Sequence, residues 1–193
     1  MELLGPCVLD GRYVRLEPLL PSHADALLEA GRGSEWTWMS KDLSTKRSVD
    51  EWISDALQAQ SHGEEYAFVV KYQNKVVGST RYMDVQPNSK GAEIGWTWYV
   101  KFVWGTVVNP ECKFLLLRHA FEDWGAIRVQ LKTDNNNLHS QNAILKLGAK
   151  FEGRLRNHRF RRDGSIRDTM MYSITSEEWP HVKESLSRRI AVD

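Results

Sequence analysis

The chain has 193 residues, 41% of them apolar, with 26 basic side chains against 25 acidic ones and a formal net charge of +1. That is enough apolar material to bury a core, and residues 1–193 read as a single domain. A balance so close to neutral excludes a strongly basic nucleic-acid binder and an acidic disordered chain.

The opening residues, MELLGPCVLDGRYVRLEP, lack the basic stretch and apolar run of a signal peptide. No window approaches the ~18 apolar residues that span a bilayer, so a cytoplasmic protein with no membrane partner is expected. Cys7 and Cys112 belong to no CxxC or Cys/His metal spacing and are expected as free thiols in a reducing compartment. A strand is predicted over Arg12–Pro18. A helix follows Pro21, with Ser22 as N-cap and Asp25 three positions on in a capping-box pattern. After a polar loop (Arg32–Arg47), Val49, Trp52, Ile53, Ala56 and Leu57 mark a helix over Ser48–Ser61. Tyr66–Tyr72 and Val76–Val85 form a hairpin around Gln73-Asn74-Lys75, and Gly91–Val100 is a third strand. Asn109-Pro110-Glu111 is a strong helix start, with Asn as cap and Pro at the first helical position, and that helix runs to Gly125. Ile127–Thr133 is a strand and Asn137–Leu147 a helix stopped by Gly148. Lys150–Arg161 and Ile166–Ile174 pair through Arg162-Asp163-Gly164-Ser165, and Ser176–Arg189 is a closing helix. The order predicts an α+β fold with a mixed sheet of about seven strands flanked by helices.

Eight tryptophans are many for this length. Trp36 and Trp38, and again Trp96 and Trp98, are spaced W-x-W, which in an extended chain puts each pair on one face. They form either aromatic core or the wall of a substrate groove. At Val100–Lys113 a strand enters a one-glycine loop and leaves into a capped helix. Amides at a helix start lack internal partners and the macrodipole makes that end positive, so such a junction can hold a pyrophosphate; many similar turns bind nothing.

The run WGTVVNPECKFLLLRHAFEDWGAIRVQLKTDNNNLHSQNAILKLGAKFEGRLRNH, followed by DGSIRDTMMYSI, resembles the RimJ/RimL-like branch of the GNAT acetyltransferases. There a W-x-T-x-V-N-x-E-x-K loop–helix precedes a strand and an N-x-x-S helix ending in Leu-Gly-Ala. The likeness extends from about Arg12 to Trp179 and is most specific over Trp104–Asp168. It implies a GNAT fold and an N-acetyltransferase that uses acetyl-CoA as co-substrate, without a metal, and acts on a primary amine, preferentially a protein or peptide N-terminus. It implies that backbone around Trp104, Gly105, Thr106, Val107, Val108 and Asn109 cradles the CoA pyrophosphate. The strand end Trp98, Tyr99 and Val100 would line the cofactor, with an oxyanion-binding N–H among its amides. Lys101 and Val107 depart from the family's wider Q/R-x-x-G-x-G/A signature, and the Cβ of Val107 sits where a small residue is common.

Direct attack by an amine on a thioester needs a base, donors for the oxyanion and a proton for the thiolate. An α-amine, with a pKa near 7.7–8.0, needs only a weak base. Glu93 lies on the strand that in the family splays to admit the thioester and is the candidate base, or else a salt-bridged strand carboxylate. The tyrosine acid common in the family is replaced by Ile144. By resemblance Asn137 contacts the pantetheine arm and Ser140 protonates the thiolate; both are also good helix caps. Trp36 and Trp38 are the candidate substrate-binding residues. His119 falls within a Leu-rich helix, His23, His62 and His181 at surface helix positions, and His139 beside Ser140, within reach of the cofactor. No His/Asp/Glu grouping has metal spacing, and no Gly-x-Ser-x-Gly elbow is present. The basic strand Arg154–Arg162 is either an RNA or acidic-peptide face or a charged edge that blocks strand pairing. A homodimer is expected from the family likeness. The alternatives are an acetyltransferase for a small amine (an amino-acid derivative or antibiotic) and a non-catalytic acyl-CoA- or RNA-binding module.

Overall fold

The structure, a computed structural model, describes residue 5 and residues 7–192. Its strands are β1 (Leu9–Asp10), β2 (Val14–Pro18), β3 (Tyr66–Tyr72), β4 (Lys75–Gln86), β5 (Gly91–Tyr99), β6 (Arg128–Asp134), β7 (Lys150–Phe160) and β8 (Ile166–Thr175). The helices are α1 (Ala24–Gly31), α2 (Lys46–Ser61), α3 (Val108–Arg118), α4 (Leu138–Lys146) and α5 (Trp179–Val192). All eight strands form one sheet in the order β1-β2-β3-β4-β5-β6-β8-β7. Only β5 and β6 run parallel, because the chain returns between them through α3; every other neighbour is antiparallel. Among the described residues no helix is long and apolar enough to cross a membrane.

The sheet is covered on both faces. Along β3, Tyr66, Phe68 and Val70 join the cluster beneath α3 and α5, while Ala67 and Val69 join the one beneath α1 and α2. Both faces of β3 are buried, so its sequence is a continuous apolar run rather than an alternation. At the β3–β4 turn Gln73 and Asn74 take φ of 50° and 61°, the left-handed pair of a tight hairpin whose twist matches the flanking strands.

Several boundaries differ from the sequence expectation. The first strand begins at Val14, and the residues before it add β1, making eight strands instead of about seven. The cause is long-range: the buried Glu111 carboxylate accepts the amides of Arg12, Tyr13 and Val14 at 2.6, 2.9 and 2.9 Å and fixes this turn. Ser22 caps no helix; Pro21–His23 is a 3-10 turn in which Leu20 N–H donates to His23 Nδ1, and α1 starts at Ala24. The next helix starts two residues early because Thr45 and Ser48 form a reciprocal capping box (3.2 and 3.3 Å), with Ser in the place usual for Glu. Asn109 is likewise no cap: α3 begins at Val108 with Val107 at the cap position. Pro110 still falls in the first turn, where a missing N–H costs nothing. After Arg118 the helix widens into a π-helical turn, His119–Asp123, before Gly125 (φ 66°) redirects the chain.

Candidate active site

Strands β5 and β6 pair only at Gly91/Arg128, Ala92/Val129 and Glu93/Gln130. Beyond Glu93 they diverge, because β5 carries a bulge: its register against β4 shifts between Ser79 and Arg81, and Trp96 takes φ of 47°. A bulge bends its strand and increases the local twist. The result is a fork whose base is Glu93 and whose β5 arm runs from Ile94 to Tyr99. Glu93 is 8% exposed; its Oε2 meets Lys132 Nζ at 2.6 Å and accepts from Gln130 Nε2 at 3.4 Å. It is thus a buried, ion-paired carboxylate at the mouth of the gap.

Past Tyr99 the 3-10 turn Lys101–Val103 and the loop through Thr106 lead into α3. Thr106 Oγ1 donates to Val103 O (2.7 Å) and accepts from Val108 N–H (3.3 Å), so a side chain in the loop supports the uncapped helix start. Gly105 has φ of 75°, and open space surrounds the position of a Cβ there. Val107 is buried, its side chain turned into the interior. Lys101 reaches Glu35 Oε1 at 3.0 Å, tying the loop to the segment between α1 and α2.

Trp104 closes the loop against its neighbours. Its Nε1 donates to Tyr99 O (2.9 Å), and its ring stacks on His139 at 5.5 Å and 25°. His139 lies in the first turn of α4, where Asn137 is the N-cap and accepts Ser140 N–H at 3.0 Å. Asn137 thus caps α4, while Ser140 gives that cap its backbone N–H and its own hydroxyl caps nothing. Ile144 is buried in the core.

The first tryptophan pair separates. Trp36 is 7% exposed, lies edge-on to Trp98 at 4.9 Å and donates to Gly31 O, whereas Trp38 is 40% exposed. The segment is a turn, not a strand, so the shared-face expectation fails for Trp36 and Trp38. Trp36 is core, and only Trp38 is open to a ligand. Trp98 is buried in the same cluster, against which the partly buried Trp96 packs. Arg81 lies between the rings of Trp52 and Trp96 (4.6 and 5.1 Å) and pairs with Glu65.

Sequence reasoning did not single out Lys113. This residue is 5% exposed, and its Nζ donates to Thr97 Oγ1 at 2.6 Å, just past the bulge. Burial pushes its pKa down to about 8. Thr97 Oγ1 also lies 2.8 Å from Thr80 Oγ1. The signal was present in the W-x-T-x-V-N-x-E-x-K run: a lysine two residues after a buried glutamate, in a helix flanked by Cys112, Leu115 and Leu116. Only the fold shows that it points into the molecule. Burial pushes the neighbouring Cys112 thiol up to about 12. Cys7 and Cys112 are both free. His119 is buried, bonded to Asp123 Oδ2 at 2.6 Å and 3.8 Å from Cys7 Sγ. Among the described residues no group of His, Cys, Asp and Glu is arranged to hold a metal.

The basic strand is β7, the sheet edge, exposed along nearly its whole length. Its register breaks between Leu155 and Arg159, and Asn157 takes φ of 52°. There Asn157 N–H donates to Asp168 Oδ1 (2.7 Å) and His158 Nδ1 meets Thr169 Oγ1 (2.9 Å). A bulge and a row of arginines are both devices that keep an edge from pairing.

A family model described as the acetyltransferase (GNAT) domain matches residues 14–150. No curated protein matches. Among solved structures, a protein described as an acetyltransferase from T. thermophilus is 35% identical over 98% of this chain and 100% of its own, with a TM-score of 0.84. A GCN5-related N-acetyltransferase from Brucella melitensis is 27% identical, covering 96% of this chain and 86% of its own, at 0.87. Mycobacterium smegmatis RimJ, in complex with CoA-disulfide, has the same fold at 23% identity, covering 95% of this chain and 92% of its own, at 0.77. With a domain model spanning most of the chain and such a likeness along nearly all of it, this protein belongs to the GNAT acetyltransferases and is an acyltransferase enzyme.

Proposed function

We propose that the protein transfers acetyl from acetyl-CoA to the α-amine of a peptide or protein N-terminus by direct attack. The observation that carries this reading is the fork: a buried carboxylate, Glu93, at the point where β5 and β6 part. Gly105 to Asn109 would hold the pyrophosphate at the positive start of α3. The β5 arm Trp98–Val100 and the α4 start at Asn137 would flank the pantetheine. Trp104, bridging loop and α4 through His139, would close over it. The acetyl-CoA supplies the activated thioester; the chain supplies orientation and a base. Glu93 would take the amine's proton through a water, and an α-amine asks little of that base because its pKa lies near neutrality. Ser140 is a candidate donor to the thiolate, and Trp38 a rim against which the acceptor chain rests. A cytoplasmic homodimer belongs to the same reading, supported by the two free thiols and by the family likeness.

The test is turnover of acetyl-CoA, followed by free-thiol release, with three acceptor pools: peptides with free N-termini, N-blocked peptides containing lysine, and small amines. Mass spectrometry then locates the acetyl group. N-terminal acetylation of the first pool is the expected result. Turnover confined to small amines moves the acceptor to that class, and CoA binding without turnover makes the chain a binding module. Sedimentation decides the dimer.

A further inference from the structure

Strand alternation sorts the far half of the sheet into two faces. Val129 and Leu131 of β6, with Ile174 and Tyr172 opposite them on β8, turn into the core beneath α3 and α5. Gln130, Lys132 and Asp134 turn to the other face, the one on which Glu93 lies level with Gln130. There α1 and α2 cover β3 and Trp98 of β5. Past the fork the same face continues across β6 and β8 to the exposed edge strand β7.

This continuation is positive. Lys132 is taken by Glu93. Arg161 grips Asp134, its Nε and Nη2 donating at 2.7 and 2.9 Å. Arg167 of β8 stays 3.9 Å from that carboxylate, and its buried Nε has no hydrogen-bond partner among the described residues. Arg159 of β7, directly opposite Arg167, is exposed and pairs with no carboxylate among the described residues. Like charges directly opposite on neighbouring strands destabilise a sheet. Edge protection does not account for the pair, since Arg167 lies on an inner strand and the bulge already interrupts β7. Burial first, then the charges of Arg159, Lys132 and Arg167, lower the pKa of His158 at the bulge, while Glu93 acts in the opposite direction. The arginine pair is therefore within electrostatic reach of the fork.

We propose that Arg159 and Arg167 bind a carboxylate of the acceptor, so that the preferred peptide N-termini carry an aspartate or glutamate among their first few residues. This rests on N-terminal acetyl transfer being the reaction. With the amine at Glu93, the acceptor chain lies across β6 and β8, and β8 is two strand spacings of ~4.8 Å from β5. An extended chain advances ~3.3 Å per residue, which puts the carboxylate roughly two to four residues along. Two guanidiniums at one place suit a single carboxylate, which accepts from both in short, charge-assisted bonds. A nucleic-acid backbone would call for a tract of such cations.

The test is kcat/KM for N-terminal acetylation of otherwise identical peptides with Asp, Asn or Lys at the second, third or fourth residue. The parent should prefer the best Asp peptide over its Asn counterpart by about tenfold, and the preference should shrink as salt is raised. Arg159→Gln changes an exposed side chain and should fold as the parent does. It should keep the Asn-peptide rate and the CoA affinity and lose most of the preference, as should Arg167→Gln. Arg159→Glu should favour the Lys peptide instead. Peptides acetylated with no preference, or with the same preference in both glutamine variants, overturn this inference alone. A single-stranded RNA oligonucleotide bound through Arg159, with no peptide preference, makes the face an RNA surface and also overturns it. Acetylation of no peptide, with turnover of free aspartate or other small amines, overturns the N-terminal reading and this inference with it.

Discussion

Glu93 on β5 and Lys132 on β6 are joined by a 2.6 Å ion pair across the base of the fork, where the two strands stop pairing. Gln130 links the same carboxylate to Asp84, donating to both. If Glu93 removes the amine's proton, Glu93→Gln lowers kcat/KM at the low end of the ~10²–10⁴-fold range for general bases and leaves CoA affinity unchanged. The defect shrinks as pH rises above the acceptor's pKa, since solvent then supplies free amine. A pH–rate comparison with the fastest peptide checks this; identical profiles move the role to Asp84, the other carboxylate on Gln130.

The Trp104–His139 stack joins the loop before α3 to the first turn of α4. Trp104→Ala removes both the stack and the bond to Tyr99 O, whereas Trp104→Phe keeps an aromatic face. With an aromatic contact at about 0.5–1.5 kcal/mol, the alanine variant should bind CoA up to about tenfold more weakly by calorimetry, and the phenylalanine variant should lie between it and the parent.

Glu111 is 2% exposed and accepts three backbone amides. Glu111→Ala orphans all three and should cost on the order of 3–5 kcal/mol in denaturant unfolding. Glu111→Gln keeps one acceptor oxygen and should cost less. Gly11→Ala should also be poorly tolerated, since its Cβ would lie 2.7 Å from the Glu111 carboxyl and 2.9 Å from Val14 O.

Lys113 yields a stability prediction with a definite sign. Its folded pKa, about 8, lies below the 10.5 of an unburied lysine. Below pH 8 both states are protonated and the buried charge destabilises the fold, on the order of 3 kcal/mol. Between about 8 and 10.5 the unfolded chain holds a proton that the folded one has released, so the penalty fades as pH rises. Lys113→Met should therefore be more stable than the parent at pH 7, and the gap should narrow at pH 9.5. Chemical denaturation at the two pH values checks it.

Asn137 has two readings that substitution separates. Asn137→Ala removes the cap of α4 and should cost about 1 kcal/mol. Asn137→Asp keeps the cap but loses the amide donor. Stability kept with weakened CoA binding identifies a contact to the cofactor; stability and affinity both kept leave Asn137 as a cap.

The order of elements was legible in the residues because it is local. Periodicity located α2, the β3–β4 hairpin and the Asn137 cap, and the one-glycine run at Trp104–Asn109 marked the loop before α3. Where a boundary was misplaced, the deciding partner was distant or a different chemistry won: Glu111 sets the start of β2 from 97 residues away, and Thr45 and Ser48 cap α2 without the expected acid. The W-x-W spacing predicts shared faces only in an extended chain, and the turn at Trp36 breaks that condition. The burial of Lys113 was beyond local reasoning, since a lysine in a helix is ordinarily read as solvated. So was the fork, since strand divergence depends on a bulge in one strand and the pairing of two others. Sequence alone determined the order of the elements after β1 and which loop precedes the central helix. Tertiary structure decided which side chains lose water, and desolvation is what sets Lys113 and Glu93 apart from the solvated lysines and glutamates of the surface.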